Sequence, residues 1–337
     1  MHAYMHGYVI GIDGGGTKTE GVLTDPAGRV LAHGFGGASN PNDGGVEASV
    51  AVIASLAREL IRQAGVLPTD CCLFGGIAGA LSHKEELTAG LRASLSGVTV
   101  SVDSDMINLL SAELCDRDGA CVICGTGSAC FLRRGQDVTR IGGWGYLLDS
   151  AGSGYDIGRQ ALEAALRAHD GRGTATLLTD CLSARLGMSV PSALNRLYAE
   201  GKTLIASLAP AVFEAAERGD ATATAILERN AAALGEMIVT AWRLYRAGDP
   251  ASEPPQSFPV ALDGGICRRT HPRWRDAIAR HIPPSVPAEL FLASRPVLWG
   301  AVAEGMRRDG RPSSEIAAAE TAFLQEIHST NITHSTN

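Results

Sequence analysis

The chain lacks most of the signatures that would tie it to a membrane, a nucleic acid or a metal. Its 337 residues contain no run of 18 apolar residues and no secretory leader pattern, so the sequence predicts a cytoplasmic protein with reduced thiols and no membrane partner. Basic residues are the minority, 29 Lys and Arg against 36 Asp and Glu for a net charge of −7. No basic block compensates, which argues against nucleic acid as a partner. The eight cysteines are scattered, and only Cys121 and Cys124 have metal-like spacing. They sit in the apolar run Ala120-Cys121-Val122-Ile123-Cys124 without a second pair, and read as small strand residues rather than zinc ligands. There is no H-E-x-x-H and no G-x-S-x-G, which removes zinc-protease and nucleophile-elbow chemistry. No G-x-G-x-x-G follows a strand, so a dinucleotide fold has no support. The length suffices for two domains around one cleft.

What the chain has is glycine, 40 residues of it, gathered at the ends of apolar runs. In Tyr8-Val9-Ile10-Gly11-Ile12-Asp13-Gly14-Gly15-Gly16-Thr17-Lys18-Thr19-Glu20-Gly21-Val22-Leu23 an apolar run ends on an Asp, a triple glycine follows, and a second β-rich run begins. This reads as strand, tight turn, strand, with glycines supplying positive φ. A turn without side chains also lets backbone N–H groups approach a polyanion, and Asp13 at its mouth suits a hydrated Mg²⁺. Gly11 and Gly16 have P-loop spacing, but Thr17-Lys18 stands in reversed order and a strand follows where a helix is required. An ordinary glycine hairpin is the competing reading.

Along the chain, Asp25-Pro26-Ala27-Gly28 is a turn and residues 29–34 a third antiparallel strand. Asn40, before Pro41, is either a turn former or a ligand contact. Residues 46–64 have helical spacing and stop at Gly65. A buried strand at 73–77 runs into a glycine loop at Gly79. Ser82-His83-Lys84-Glu85 reads as a capping box for a helix to about residue 95. The strand at 98–102 closes in Asp103-Ser104-Asp105 before a helical run, 106–114. One of these three caps the helix, but two acids are more than capping needs, and ligands gather beyond the C-terminal edges of parallel strands. Cys124-Gly125-Thr126-Gly127-Ser128 repeats the first design of strand, turn and strand. Residues 141–155 carry Gly142-Gly143-Trp144-Gly145 and Gly152-Ser153-Gly154. Helices follow to about residue 247, then a loop at 248–257, a strand ending in Gly264-Gly265, a helix at 271–282, a short strand at 290–292 and a helix from 297. Residues 1–7 and those from 313 onward offer little that folds.

These motifs, in this order over about residues 9–308, resemble the sugar-kinase, actin and heat-shock-chaperone ATPase superfamily. Within it they resemble the N-acetylglucosamine kinase and BadF/BadG/BcrA/BcrD-type ATPase branch. The resemblance implies an α/β fold of two ribonuclease-H-like (actin-like ATPase) domains facing each other across a cleft. The first would span 7–118, completed by a helix at about 297–308. The second would span 119–296 with helical insertions, and 313–337 would be a tail. It further implies ATP and Mg²⁺. Asp13, Gly14, Gly15, Gly16, Thr17, Lys18, Gly125, Thr126, Gly127 and Ser128 would hold the phosphates, Gly264 and Gly265 would face the adenosine, and Asp13 would hold Mg²⁺ through water. Asp105 matches the general base, with Asp103 as the substitute. Asn40, Gly79, Asp105, Thr126, Gly143, Trp144, Gly145, Asp149 and Ser150 would contact the sugar.

One departure stands out: where the family commonly reads Gly-Asp-Glu-Gly-Ser-Gly, this chain has Asp149-Ser150-Ala151-Gly152-Ser153-Gly154, so Ser150 replaces a sugar-contacting Asp. Either Asp149 takes over or the substrate differs. Phosphoryl transfer needs a cradle, a metal and an oriented hydroxyl, and the implied activity is an ATP-dependent kinase for the 6-hydroxyl of an amino sugar, N-acetylglucosamine first, glucosamine or N-acetylmuramic acid otherwise. A BadF-type ATPase coupling hydrolysis to a partner would instead hold an iron–sulfur cluster between subunits, with Cys124 and Cys267 beside the glycine loops. A non-catalytic sugar sensor is the third reading. A homodimer is the family expectation.

Overall fold

Val9, Ile10 and Ile12 are fully buried in β1 (Tyr8–Gly14), as a strand covered on both faces requires. A computed structural model describes residues 6–248, 253–270 and 273–329, and β1 is the middle strand of the first of its two units. That unit comprises Met1–Asp116 and Ser294–Asn337, and the second comprises Arg117–Ala293.

In the first unit β1 pairs antiparallel with β2 (Thr19–Thr24), which pairs antiparallel with β3 (Val30–Gly36). After the short α1 (Pro41–Gly44) comes α2 (Val46–Ala64), whose apolar face carries Ile53, Ala57 and Leu60. Helix α2 stops as its sequence predicts: Gly65 is left-handed, φ 67°, and its N–H reaches the Ile61 carbonyl. Strand β4 (Cys71–Ile77) lies parallel to β1, and after α3 (Lys84–Ser94), β5 (Thr99–Ser104) lies parallel to β4. The capping box expected at Ser82–Glu85 does not form. Ser82 closes a 3-10 turn and His83 enters the helix without a side-chain cap, because the chain must still turn out of the sheet there. Helix α4 (Asp105–Leu114) starts directly from β5. The sheet order is β3-β2-β1-β4-β5. Gly14 pairs with Ile77 and Ile77 with Ser104, so the three parallel strands end level along one edge.

The second unit repeats this plan. Strands β6 (Gly119–Cys124), β7 (Ser128–Arg134) and β8 (Asp137–Ile141) are antiparallel. Five helices follow: α5 (Gly154–His169), α6 (Leu178–Leu186), α7 (Leu194–Ser207), α8 (Ala209–Glu217) and α9 (Ala221–Gly248). Helix α7 breaks at Gly201. Strand β9 (Phe258–Asp263) runs parallel to β6, and past α10 (Gly265–Thr270) and α11 (Arg273–Ala279), β10 (Ala288–Leu292) runs parallel to β9. The order β10-β9-β6-β7-β8 is that of the first sheet, read from its own middle strand. Both are ribonuclease-H-like. The helix expected at 271–282 begins within the described residues at Arg273, His271 lying outside them, and ends at Ala279.

The chain then returns to the first unit. Helix α12 (Val297–Arg308) packs on β1 and α4. Glycine makes this close approach possible: a Cβ on Gly300 would collide with the Asn108 carbonyl, and one on Gly11 with Val302. The tail expected over 313–337 is a helix in its described part, α13 (Ser313–Ser329). Ile316, Ala319, Phe323 and Ile327 recur on its buried side, and Phe323 meets Trp299 with ring centroids 5.2 Å apart. Glu326 accepts the N–H of Val30 at 2.7 Å. The Ser-, Ala- and Glu-rich composition of this segment hides four apolar residues that suffice once a partner surface exists.

Candidate active site

The two glycine turns are hairpin turns, but not for the expected reason. Gly14, Gly15 and Gly16 do not have positive φ, nor do Gly125 and Gly127. Absence of a side chain is what the sites require. A Cβ on Gly14 would run into Ser39 Oγ and Ile77 Cδ1. The Gly15 N–H closes the turn on the Lys18 carbonyl at 3.0 Å. Buried Thr19 anchors the base, its hydroxyl donating to the Gly37 carbonyl at 2.7 Å and accepting from Ser39 Oγ at 2.8 Å. Gly16, Thr17 and Lys18 form the exposed crest, where the Lys18 ammonium lies 3.6 Å from Glu20 and over the Phe35 ring.

Asn40 is the turn former that its sequence allows. Its Oδ1 accepts the Asn42 N–H at 3.0 Å and caps α1. The same side chain lies against Gly79, φ 80°, where a Cβ would strike Asn40 Oδ1 and come within 2.6 Å of Asn42 Nδ2. A Cβ on Gly16 would lie 3.2 Å from Asp43 Oδ2. The structure therefore gathers Asn40 and Gly79 beside the first glycine turn. It adds Asn42 and Asp43, polar residues that the sequence presents as nothing more than loop.

The acids on the strand edge have separate tasks. Ser104 is the cap of α4, its Oγ accepting from the Met106 N–H at 3.3 Å. Asp103 is held by the Lys84 ammonium at 2.6 Å and the Arg308 guanidinium at 3.0 Å. Burial raises its pKa, but Lys84, Arg308 and the Ser104 N–H outweigh that and hold it below the usual carboxylate range. Asp105 accepts from Ser104 Oγ at 3.0 Å and has no ion pair among the described residues. Burial pushes its carboxyl up despite that hydrogen bond. Asp13 is pushed up to about 6 from 3.8, first by burial and then by the Asp105 and Glu20 charges, against the hydrogen bond from Asn108.

Asn108 is the residue that sequence reasoning misses. It is fully buried in the first turns of α4, and its Nδ2 donates to Asp13 Oδ1 at 2.9 Å. Gly76 makes the room, since a Cβ there would overlap the Asn108 amide. Its Oδ1 has no partner. A polar residue at an inward helical position was the available signal. A divalent cation fits this corner, because Asp13 and Asp105 offer hard oxygen donors whose mutual repulsion such a charge would relieve.

In the second unit three segments converge. Gly125 donates to the Gly127 carbonyl at 2.9 Å and accepts from the Gly154 N–H at 2.7 Å. The Thr126 carbonyl accepts from Tyr155 at 3.3 Å, and Ser128 Oγ donates to the Ala151 carbonyl at 2.7 Å. Gly264, φ 99°, packs so tightly that a Cβ would overlap the Cys124 and Gly125 backbone. By contrast, a Cβ on Gly127 or Gly265 would meet nothing within 4 Å. That open backbone is what a phosphate or a nucleoside needs to approach. Cys124 donates to the Gly152 carbonyl at 2.7 Å, and its contact with Cys267, together with burial, drives the Cys267 pKa far up.

The 142–150 segment is turned outward. Gly143, φ 72°, packs on the Ser128 carbonyl. Trp144 is 66% exposed, with Arg140 4.9 Å above its ring. Asp149 Oδ2 accepts from the Trp144 N–H at 3.4 Å and Ser150 Oγ donates to the Tyr146 carbonyl at 3.3 Å. Both thus bond within their own loop, and Ser153 takes the capping task for α5.

Comparison with known proteins agrees with this geometry. The chain is 36% identical over 231 residues to the N-acetylmuramic acid/N-acetylglucosamine kinase of Clostridium acetobutylicum, covering 66% of this chain and 76% of that protein. It is 34% identical over 280 residues to the N-acetyl-D-glucosamine kinase of Dictyostelium discoideum, covering 77% of this chain and 85% of that protein. A Chromobacterium violaceum protein, solved under the provisional name N-acetylglucosamine kinase, superposes with a TM-score of 0.61 at 28% identity, covering 88% of this chain and 98% of that one. The pattern of the BadF/BadG/BcrA/BcrD ATPase family matches residues 10–282. With two sheets of one topology, each opening on a glycine hairpin, and a match of this extent, the chain belongs to the BadF/BadG/BcrA/BcrD ATPase family.

Proposed function

We propose that the protein is an ATP-dependent kinase acting on the 6-hydroxyl of an amino sugar, with N-acetylglucosamine as the first substrate to test. The observation that carries this reading is the strand-edge pair: Asp105, free of ion pairs among the described residues, lies within electrostatic reach of a buried Asp13 beside the first glycine turn. The names of the two relatives support the sugar class. Asp105 would accept the proton as the sugar oxygen attacks the terminal phosphorus of ATP. The sugar O–H and the bond to the leaving ADP oxygen break, and one P–O bond forms. Such general-base assistance is worth about 10²–10⁴ in rate. Mg²⁺ would supply charge neutralisation on the phosphate oxygens, with Asp13 as its holder and Asn108 fixing the rotamer of Asp13. Gly14–Thr17, Gly125–Ser128 and the Gly264–Gly265 turn would offer backbone to the nucleotide. Asn40, Gly79, Thr126, Gly143, Trp144, Gly145, Asp149 and Ser150 would meet the sugar.

Glucosamine and N-acetylmuramic acid are the alternatives that Ser150 leaves open. An iron–sulfur reading loses support because Cys124 and Cys267 are 0% and 2% exposed. The functional domain bounds, the cytoplasmic address and the homodimer belong to the same proposal. Purified protein with ATP, Mg²⁺ and an amino-sugar panel should release ADP with at least one sugar. Release on none, or release unaltered in Asp105→Asn, overturns it.

A further inference from the structure

We propose that His6, Cys72 and Asp309 form a binding site for a thiophilic divalent cation of the zinc type, distant in chemistry from the phosphoryl-transfer site. Each residue presents one ligand atom, and the three atoms lie within 4.8 Å of one another. They come from three places in the first unit: the approach to β1, the second residue of β4, and the residue just beyond α12. An imidazole nitrogen, a thiolate and a carboxylate oxygen are a donor set that tetrahedral zinc accepts, whereas Mg²⁺ prefers oxygen alone.

Three further observations favour a cation here over an ordinary ion pair. His6 Nδ1 lies 2.6 Å from Asp309 Oδ1, while its other ring nitrogen, Nε2, is 2.9 Å from Thr99 Oγ1. A metal-bound histidine is held in this way, one nitrogen on the ion and the other on an oriented oxygen. The second carboxylate oxygen, Asp309 Oδ2, is buried without a hydrogen-bond partner among the described residues, and its charge is balanced by an ion pair with the buried Arg311 guanidinium, Nε 3.7 Å away. That ion pair is too long to be a hydrogen bond, which leaves the lone pairs of Oδ2 open to a metal, while Arg311 Nη2 is engaged with the His6 carbonyl at 3.0 Å. Cys72 is 6% exposed and, among the described residues, its thiol makes one long hydrogen bond, 3.6 Å, to the Tyr8 carbonyl.

The arrangement needs little movement to close. In a tetrahedral site with bonds of about 2.0–2.3 Å the ligand atoms stand about 3.3–3.8 Å apart, so His6 and Asp309 separate slightly and Cys72 moves inward. On binding, the Cys72 S–H bond breaks, a sulfur–metal bond forms and the proton leaves to solvent. With one thiolate, one carboxylate and neutral His6, the ion retains no net charge of its own, and the Arg311 guanidinium stays beside it. Water completes the coordination. The ion would tie His6, two residues before β1, to Asp309, 303 residues later.

The test uses the full-length chain without a histidine tag, stripped with chelator and titrated with Co²⁺ as a spectroscopic stand-in for Zn²⁺. The expected result is one equivalent of Co²⁺ giving tetrahedral d–d bands and a thiolate-to-cobalt charge-transfer band, both displaced by Zn²⁺. Cys72→Ser and His6→Gln should each abolish the charge-transfer signal or weaken binding at least tenfold, and Cys115→Ser should leave it intact. Zn²⁺ should raise the Tm of the wild type and leave that of Cys72→Ser unmoved. Absence of the band in the wild type, or its persistence in Cys72→Ser, overturns the proposal. Circular dichroism of each variant confirms the fold, and if Cys72→Ser does not fold, His6→Gln decides alone.

Discussion

Asn108 Nδ2 donates to Asp13 Oδ1 at 2.9 Å, joining the first turns of α4 to the end of β1. This bond opposes the effects that raise the Asp13 pKa, so Asn108 sets how readily Asp13 carries its charge. Asn108→Ala should destabilise the chain by about 1–3 kcal/mol, the range for a buried hydrogen-bond partner left unsatisfied. It should also raise the Mg²⁺ concentration needed for half-maximal ADP release. Urea unfolding and a Mg²⁺ titration measure the two effects separately.

Asp13 makes stability depend on pH with a definite sign. Its folded pKa, about 6, lies above its unfolded value of 3.8, so the protonated carboxyl favours the folded state. That contribution is full below about pH 4 and is lost as pH rises through about 6, a swing on the order of 3 kcal/mol. In Asp13→Asn the swing disappears. The difference in urea midpoint between variant and wild type should therefore grow from pH 4 to pH 7, in favour of the variant. A constant difference across that range would refute the buried-charge account.

Asp105→Asn should lower ADP release by about 10²–10⁴ while the thermal shift on adding sugar survives. Burial raises the Asp105 pKa, and a general base must be ionised. The acid limb of the kcat/KM profile in the wild type should accordingly lie above the ordinary aspartate range. Asp103 has its own ion partners in Lys84 and Arg308, so Asp103→Asn should affect stability more than the position of that limb.

Two glycines in equivalent turns should respond oppositely. Gly14→Ala forces a methyl into Ser39 and Ile77 and should cost about 1–3 kcal/mol in stability. Gly127→Ala meets nothing within 4 Å, should leave the urea midpoint within about 0.5 kcal/mol of wild type, and should raise the KM for ATP.

Local features were the readable ones. The hairpins, the end of α2 at Gly65 and the capped start of α4 depend on neighbours in sequence, and each is written in a few adjacent residues. That one of Asp103, Ser104 and Asp105 caps α4 followed from the same proximity, while the choice of Ser104 needed the structure. The partners of Asp103 were hidden because Arg308 is 205 residues away, and no local pattern reports such a pair. Asn108 is a polar residue in an apolar helical run, and its place depends on the space that Gly76 leaves 32 residues earlier. Helix α13 was obscured for another reason: four buried residues among polar ones form a stripe only if Trp299 and the β2–β3 side of the sheet are there to receive it. The glycine turns taught a narrower lesson, since glycine there answers crowding rather than dihedral demand.

Helices α12 and α13 belong to the first unit yet follow the second in the chain. During synthesis the second unit has all of its strands and helices available before the first has its covering layer. Until α12 leaves the ribosome, Val9, Val22 and Ala112 have no apolar cover on that side, and nascent chain of this kind is a substrate for chaperones. A stop codon anywhere between the two units' last elements would thus spare the later-starting domain and strand the earlier one.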